Sequence, residues 1–125
     1  MQNQNSKVKT DLKYRSYLYS IKMIEFLDTL PNDNTTVVIT KQLLRSATSI
    51  GANIIEAKGA SSKRDFTNFF GYSLKSANKS LYWLGLLGDA KKINNAGLEY
   101  LLRETEELAN MLGSSILTLK GKNKF

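Results

Sequence analysis

The chain of 125 residues contains no cysteine and no histidine, and only one proline. Without cysteine there is no disulfide and no thiolate nucleophile, and the usual zinc sites are excluded. Without histidine the chain lacks the side chain most often used as a general base near neutral pH. These absences remove much enzyme chemistry, and we expect a protein with no catalytic residues, no metal site and no cofactor. The lack of cysteine also fits a reducing compartment.

Long apolar runs are missing as well. No stretch approaches the ~20 residues that span a bilayer. The first ten residues, MQNQNSKVKT, are polar with no apolar segment behind them, unlike a secretory signal. We therefore expect a cytoplasmic protein without a membrane partner. Its length is enough for one domain with a single core, and too short for a catalytic domain plus a regulatory one.

Positive charges outnumber negative ones, with 18 Lys and Arg against 11 Asp and Glu and a formal net charge of +7. An excess of this kind points to a polyanionic partner, such as nucleic acid or an anionic membrane surface. It also serves solubility alone, so both interpretations stay open. Glu104, Glu106 and Glu107 stand together near Arg103, and we interpret them as a solvated charged face rather than as catalytic carboxylates.

Apolar residues recur at helical spacing and predict long helices joined by short turns. The first helix begins after the N-cap candidate Thr10 and ends at Pro31. Its predicted core positions are Leu12, Tyr17, Ile21, Ile24 and Leu27. The second begins after Thr40 and ends at Gly59, and the β-branched segment 37–39 before it is too short and isolated to found a sheet. Its predicted core positions are Leu43, Ala47, Ile50, Ile54 and Ala57.

Two further helices follow. A capping-box pattern from Ser62 to Asp65 predicts the start of the third, which continues to about Asp89. Its predicted core positions are Phe66, Phe70, Ala77, Leu81 and Leu84. The fourth covers residues 98–119, and its apolar positions are Leu98, Leu101, Leu102, Leu108, Met111, Leu112, Ile116 and Leu119. These elements predict an all-α fold, an antiparallel up-down-up-down four-helix bundle over 10–119, between a polar tail at 1–9 and a basic tail at 120–125.

The face of the third helix opposite its core stripe mixes aromatic and basic residues. It carries Asn68, Tyr72, Lys75, Lys79, Tyr82, Trp83 and Leu86. Aromatic rings between lysines suit base stacking beside phosphate neutralisation, and they equally suit the centre of a protein interface. Because exposed apolar patches mark contacts, subunit packing is the leading interpretation, with nucleic-acid contact and ordinary surface as alternatives.

The second helix has the apolar spacing of a buried helix but unusually small side chains. Small residues allow close approach of another backbone, from the same chain or from a second copy. In the second case Asn53 would hydrogen-bond across the seam as a specificity element. The residues predicted to lie at an oligomer interface are Ser46, Ser49, Gly51, Asn53, Tyr72, Tyr82, Trp83 and Leu86.

Several motifs stand at fixed spacings between residues 41 and 87. They are Gln42-Leu43, Arg45-Ser46, Ser49-Ile50-Gly51-Ala52-Asn53-Ile54, Glu56-Ala57, Ser62 with Asp65-Phe66, Ser76-Ala77-Asn78 and Tyr82-Trp83-Leu84. This segment resembles the small bacterial four-helix-bundle proteins first noticed as products of intervening sequences in large-subunit (23S) rRNA genes. The resemblance implies a bundle that assembles into a ring, typically a pentamer, with a basic surface. Where the family often has glutamates, this chain has Lys79 and Leu81, which makes the third helix more positive.

The resemblance extends to accessory subunits of diversity-generating retroelements, in which the ring is thought to bind nucleic acid and a reverse transcriptase. We therefore expect a non-enzymatic homo-oligomer that binds nucleic acid, RNA more than DNA, because several copies multiply weak phosphate contacts. The predicted nucleic-acid contacts are Lys75, Lys79, Lys63, Arg64 and Arg45. The alternative is an adaptor that docks a reverse transcriptase or another enzyme. The salt dependence of binding distinguishes the two functions, because binding to phosphates weakens steeply as the salt concentration rises.

Overall fold

The computed structural model describes residues 11–122. This part of the chain forms four helices and contains no strand. The helices are α1 (Leu12–Leu27), α2 (Asn34–Lys58), α3 (Lys63–Asp89) and α4 (Ala96–Lys122). The prediction of an all-α fold with four helices is confirmed. The predicted polar tail at 1–9, Thr10 and the last residues of the basic tail lie outside the described residues. The N-cap of α1 is Asp11 rather than the predicted Thr10.

Each helix packs against the next one along the chain, and α4 packs back against α1, so that the four helices close into a bundle. The hydroxyls of Ser46 in α2 and Ser80 in α3 are 2.9 Å apart. Further along α2, the carbonyl of Ile50 accepts a hydrogen bond from Ser73, nearer the start of α3. In the same way, Phe26 near the end of α1 lies beside the start of α4.

Side-chain caps define where the helices begin. The Asp11 carboxylate accepts a hydrogen bond from the backbone N–H of Lys13 at 2.9 Å, at the start of α1. Ser62 accepts from the N–H of Asp65 at 3.1 Å at the start of α3, which confirms the predicted cap. Each contact satisfies one of the amide groups that the first turn of a helix leaves without a partner.

The second helix begins seven residues earlier than predicted. Its N-cap is Asp33, whose carboxylate accepts from the N–H of Thr36, and Thr40 lies inside the helix. The β-branched residues in between are helical because they are needed for packing: Thr36 is buried and Ile39 packs against the core. Tertiary burial here outweighs the weak local preference of β-branched residues for extended structure.

The fourth helix is longer at both ends than predicted. It begins at Ala96 rather than Leu98 and continues to Lys122, past the predicted end at Leu119. No proline follows Leu119, and the helix continues through Gly121 to Lys122, so the first part of the predicted basic tail is helical. The helix therefore carries a lysine, Lys120, in its final turns.

One hydrophobic core lies between the four helices. It contains Tyr19, Met23, Phe26, Leu27, Leu43, Ala47, Ile50, Ile54, Ala57, Phe70, Ala77, Leu84, Leu87, Leu98, Leu101, Leu108 and Leu112. All five predicted core positions of α2 are in this cluster, as are three of the five predicted for α3. The predicted core face of α3 is therefore the face that is buried, and Phe66 and Leu81 lie half-buried at its edges.

The predicted core face of α1 is largely wrong. Tyr17 is 66% exposed and Ile24 is 45% exposed, and Ile21 is exposed as well. The buried residues of α1 are Ser16, Tyr19, Met23, Phe26 and Leu27. Apolar residues occur on two sides of this helix, so helical spacing alone does not choose between them. The structure buries the side with Tyr19, Met23 and Phe26, and on that side the hydroxyl of Tyr19 meets Thr105 of α4.

Four buried hydroxyl groups, one from each helix, lie within the core. We call Tyr19, Ser46, Ser80 and Thr105 the hydroxyl layer; all but Ser46 are fully buried. The oxygens of Tyr19 and Thr105 are 2.6 Å apart. Because Thr105 donates its own proton to the carbonyl of Leu101, the phenol of Tyr19 is the donor to Thr105. Every member thus has a partner, as buried polar groups require.

Burial in this layer raises the pKa of Tyr19 to about 12, and hydrogen bonds with Thr105 and Ser80 only partly oppose the effect. The cause is desolvation, which disfavours the phenolate. A group whose pKa is raised by folding stabilises the protein fully below its unfolded pKa. That contribution is lost as pH rises from the ordinary tyrosine value of 10.0 towards about 12.

We predict that Tyr19→Phe lowers the free energy of unfolding by about 1 kcal/mol at neutral pH, because one buried hydrogen bond is lost while Thr105 stays bonded to Leu101. The variant should also lose less stability than the natural protein on alkalinisation above pH 10. Urea unfolding followed by circular dichroism at neutral and alkaline pH measures both effects. The exposed Tyr17→Phe is the matched control, and an equal effect of the two substitutions would contradict the assignment.

An ion pair joins two connections at one end of the bundle. Lys91, between α3 and α4, places its Nζ 2.8 Å from Oδ2 of Asp33 and 2.9 Å from the hydroxyl of Thr35. Asp33 is at the same time the cap of α2. Hydrogen bonds from Lys91 and then Thr36 hold the pKa of the Asp33 carboxyl well below its usual range. A lowered pKa contributes stability above the unfolded value, and this is lost as pH falls.

We predict that Asp33→Asn makes stability less sensitive to acid below about pH 4, near the pKa of an unperturbed Asp. The amide still accepts from Thr36, so the cap is retained while the charge is removed. Urea midpoints at pH 6 and in the acid range provide the measurement. Asp89→Asn is the control, since Asp89 forms no ion pair within residues 11–122. If the urea midpoints of both variants fall with pH as much as that of the natural protein, the ion pair does not cause the loss of stability in acid.

Candidate nucleic-acid and subunit interface

A continuous line of residues runs along the outside of α3. We call it the outer stripe: Asn68, Tyr72, Lys75, Lys79, Tyr82 and Leu86. Their positions differ alternately by four and three, the spacing that keeps residues on one side of a helix. Tyr72 is 49% exposed and Tyr82 62% exposed, and both lysines are exposed. Two cations therefore stand between two accessible aromatic rings, over about 15 Å of helix.

The charges of the outer stripe are not neutralised nearby. Between Asp65 and Asp89 the sequence contains no Asp or Glu. The ion pairs formed within residues 11–122 use Arg15 and Lys91, so neither lysine of the stripe is paired there. A hollow beside Tyr72 and Lys75 is also lined by Lys120 of α4. This side of the bundle therefore offers positive charge to an anionic partner.

A groove between α2 and α3 joins the two sets of predicted residues. Its lining, which we call the basic groove, is Gln42, Arg45, Ser46, Ser49, Ser76, Lys79, Tyr82 and Trp83, around a volume of about 350 Å³. Arg45 and Lys79 come from the predicted nucleic-acid contacts and Trp83 from the predicted oligomer contacts. Trp83 also packs against the core, and the ring of Tyr82 meets it edge-on at 5.0 Å between centroids.

The other two predicted nucleic-acid contacts lie elsewhere. Lys63 and Arg64 are exposed in the first turn of α3, at one end of the bundle. The helical rise separates Lys63 from Lys75 by about 18 Å along the axis. The structure therefore brings Arg45, Lys75 and Lys79 to one region and leaves the pair at the helix start outside it.

Close packing between helices of the same chain explains why several side chains of α2 are small. Ser46 is buried against Ser80, and the hydroxyl of Ser73 donates to the backbone carbonyl of Ile50 at 2.8 Å. Such a contact between a side chain and a neighbouring backbone requires short side chains between the helices. On the other flank, a Cβ added at Gly51 would lie 3.0 Å from the hydroxyl of Ser16 in α1. For Ser46 and Gly51 the close neighbour is a side chain on another helix of the same chain.

The remaining small polar residues of α2 bond within their own helix. The amide nitrogen of Asn53 donates to the carbonyl of Ser49 at 2.9 Å, and the Ser49 hydroxyl donates to the carbonyl of Arg45 at 2.8 Å. Both side chains are half-buried. Asn53 therefore already uses one donor locally, and its bond across a subunit seam stays a prediction.

Sequence reasoning missed an apolar groove between α1 and α2. We call it the apolar groove; it has a volume of about 600 Å³, and its lining includes Tyr14, Tyr17, Thr48, Gly51, Ala52 and Ile55. Among the described residues, eight of the twelve exposed large hydrophobic side chains belong to these two helices, and Tyr14, Tyr17 and Ile55 line the groove itself. The sequence signal lies in α1, whose apolar residues are too many for one face, whereas the prediction assigned this helix a single core face.

The acidic cluster of α4 is partly structural. Oε2 and Oε1 of Glu104 accept hydrogen bonds from Nε and Nη2 of Arg15 in α1, at 2.7 and 3.0 Å, and the Glu104 side chain is only 14% exposed. The hydrogen bond with Glu104 raises the pKa of Arg15. The prediction of a solvated face is therefore wrong for Glu104, whereas Glu106 and Glu107 are exposed. Bidentate geometry gives this pair orientation as well as energy.

Two kinds of site are absent from the described residues. Between residues 11 and 122, no group of three or more acidic, His or Cys side chains could hold a metal ion. No helix in that range is both long and apolar enough to cross a bilayer.

Comparison with known proteins gives the family. Residues 9–114 match the model of the 23S rRNA-intervening sequence proteins. The chain belongs to this family. A crystal structure of a protein of unknown function from the S23 ribosomal protein family of Bacteroides thetaiotaomicron is similar, with a TM-score of 0.77 and 37% identity, over 84% of this chain and 97% of that one. No curated protein matches. The predicted family is confirmed, and its relation to retroelement subunits stays a prediction.

We predict that Gly51→Ala stabilises the protein less than Gly71→Ala does. Alanine in place of an exposed helical glycine gains up to about 1 kcal/mol, and a Cβ at Gly71 meets nothing within 4 Å. At Gly51 the same Cβ would press on the Ser16 hydroxyl. Urea unfolding of both variants, alone and with Ser16→Ala, measures the difference. In the Ser16→Ala background, the two alanine substitutions should change the free energy of unfolding by similar amounts. If the difference between them remains, the close approach of α1 does not restrict Gly51.

Proposed function

We propose that this protein is a non-enzymatic antiparallel four-helix bundle that assembles into a ring-shaped homo-oligomer, a pentamer, and binds RNA through α2 and α3. One observation carries the nucleic-acid part of the proposal. Lys75 and Lys79 are exposed between Tyr72 and Tyr82 on the outer stripe, with no carboxylate on that part of α3.

The outer stripe matches the chemistry of a single-stranded nucleic acid. Lysine ammonium groups neutralise phosphates and release counterions, which supplies affinity without sequence preference. Exposed tyrosine rings stack on unpaired bases, a contact that every base can make. Lys75 and Lys79 are about 6 Å apart along the helix axis, so they can meet successive phosphates of one strand. RNA is preferred to DNA because unpaired loops and ends are its usual recognition sites.

Two lines of support favour the assembled bundle. Contacts such as Ser46 with Ser80 and Ile50 with Ser73 run in opposite directions along α2 and α3, as an antiparallel arrangement requires. The apolar groove and the exposed residues around it offer a second copy a surface of the kind that marks protein interfaces. A ring would repeat the outer stripe in every subunit, so that weak individual contacts combine.

The second candidate function is an adaptor that docks a protein, such as a reverse transcriptase or another enzyme. The apolar groove favours it, because this groove shares no residue with the outer stripe and would accept an apolar partner helix. Binding through such a face would depend little on salt, in contrast to binding through phosphates.

We predict that Lys75→Gln with Lys79→Gln weakens binding of a short single-stranded RNA and reduces its salt dependence. Each lost phosphate contact lowers the slope of log K against log salt by about 0.7 for a single strand, so the pair should lower it by about 1.4 per subunit. Fluorescence anisotropy of labelled RNA over a range of salt concentrations gives the affinity and the slope.

The matched control is Lys22→Gln with Lys92→Gln, which removes the same charge from exposed positions outside the outer stripe. Light scattering of all three proteins establishes that the oligomer is unchanged. If the control lowers affinity and slope as much as the outer-stripe variant, net charge rather than this surface binds RNA. If the natural protein does not bind RNA even at low salt, the adaptor is the better proposal.

A further inference from the structure

The basic groove has features that a phosphate-binding surface alone does not need. Its walls come from two helices, with Arg45 on α2 and Lys79 on α3. Besides these cations and the two aromatic rings, its lining side chains are hydroxyls and the amide of Gln42, and none is acidic. A concave site with aromatic, polar and cationic parts can hold a base and its phosphate together.

Trp83 stands where a base could stack. Part of the indole is packed against the core and part lines the groove, so the ring is held in place before any ligand arrives. The edge-on contact with Tyr82, at 75° between the ring planes, supports it from the side. A fixed aromatic ring is a good platform for a base, because little conformational entropy is lost on stacking.

Charge and size select the ligand. Neither Arg45 nor Lys79 forms an ion pair in the part of the chain that the structure describes, so both are available to an anion. The groove volume of about 350 Å³ is near the lower end of the range for small-ligand sites, roughly 300–1,000 Å³. That volume suits one nucleotide and excludes a duplex, whose bases are paired and stacked inside the helix.

We propose that the basic groove holds one unpaired nucleotide of a bound RNA strand, with its base against Trp83 and its phosphate between Arg45 and Lys79. The inference rests on the proposed RNA binding and adds a defined site to it. The amide of Gln42 both donates and accepts, and it lies on the groove wall where it can meet a base edge. The outer stripe then supplies general attraction, while the groove requires an unpaired base.

Trp83 is the only tryptophan of the chain, so its fluorescence reports on this groove alone. The test compares a short single-stranded RNA with a duplex of the same length. Tryptophan emission and the anisotropy of labelled RNA are recorded in parallel, and a free nucleoside monophosphate is titrated separately. We expect the single strand to quench Trp83 over the concentrations at which anisotropy rises, the monophosphate to quench it only at much higher concentration, and the duplex to leave it unchanged.

Gln42→Glu provides the matching variant. It places a negative charge in the groove at an exposed position of α2, and we expect the single strand to bind at least about tenfold more weakly because a charged contact of the phosphate is opposed. Asn110→Asp, an exposed amide-to-carboxylate change on α4, is the control and should bind as the natural protein does.

The outcomes separate this inference from the proposed function. If RNA binds by anisotropy while Trp83 emission stays constant, the groove is not the site and the proposed RNA binding stands. Equal quenching by duplex and single strand would also overturn the groove, because a paired base cannot enter it. If RNA does not bind by either signal, both proposals fail.

Discussion

The buried hydroxyl groups of the hydroxyl layer, which find partners across the core, are the constraint that fixes how the four helices align along one another. Thr36, whose buried hydroxyl has no partner among the described residues, is the exception. An apolar core tolerates small shifts of one helix against another, whereas a hydroxyl left without a partner costs about 1–3 kcal/mol. The hydroxyl layer draws one group from each helix, so sliding any helix by a turn would break a hydrogen bond. On the buried side of α1, the phenol of Tyr19 is the group that belongs to this layer.

This internal constraint also positions the surface. Arg45 and Lys79 directly precede Ser46 and Ser80, whose hydroxyls are 2.9 Å apart. Once the two serines meet in the core, their charged neighbours must lie on facing helices near the same level. Trp83, one turn beyond Lys79, then closes one side of the space between them. The buried contact between the two serines therefore positions the residues that line the basic groove on the surface.

Much of the fold could be predicted from the sequence, because helical periodicity and caps such as Ser62 are local signals. The core face of α2 was predictable for the same reason, since Leu43, Ala47, Ile50, Ile54 and Ala57 follow helical spacing along one side. The start of α2 was not, because the burial of Thr36 outweighs local preference. The buried face of α1 could not be predicted in this way, because its apolar residues occur on two sides and the partner of Tyr19, Thr105, lies far away in the sequence. Candidate contacts on α3 could be predicted from the sequence. That Arg45 of α2 lies in the same groove as Lys79 could not, because it depends on how the two helices pack.

The contact between Tyr19 and Thr105 joins residues 86 positions apart, and it has a consequence for how the chain folds. Helix α1 is synthesised first, yet one of its two neighbours is the last helix to be made. Until α4 arrives, α1 has apolar surface uncovered on two sides, and only α2 can shield it. Closing so long a loop costs entropy before any contact is gained, so docking of α4 is expected to be the late step of folding. A nascent chain that pauses before α4 would be the form most prone to aggregate.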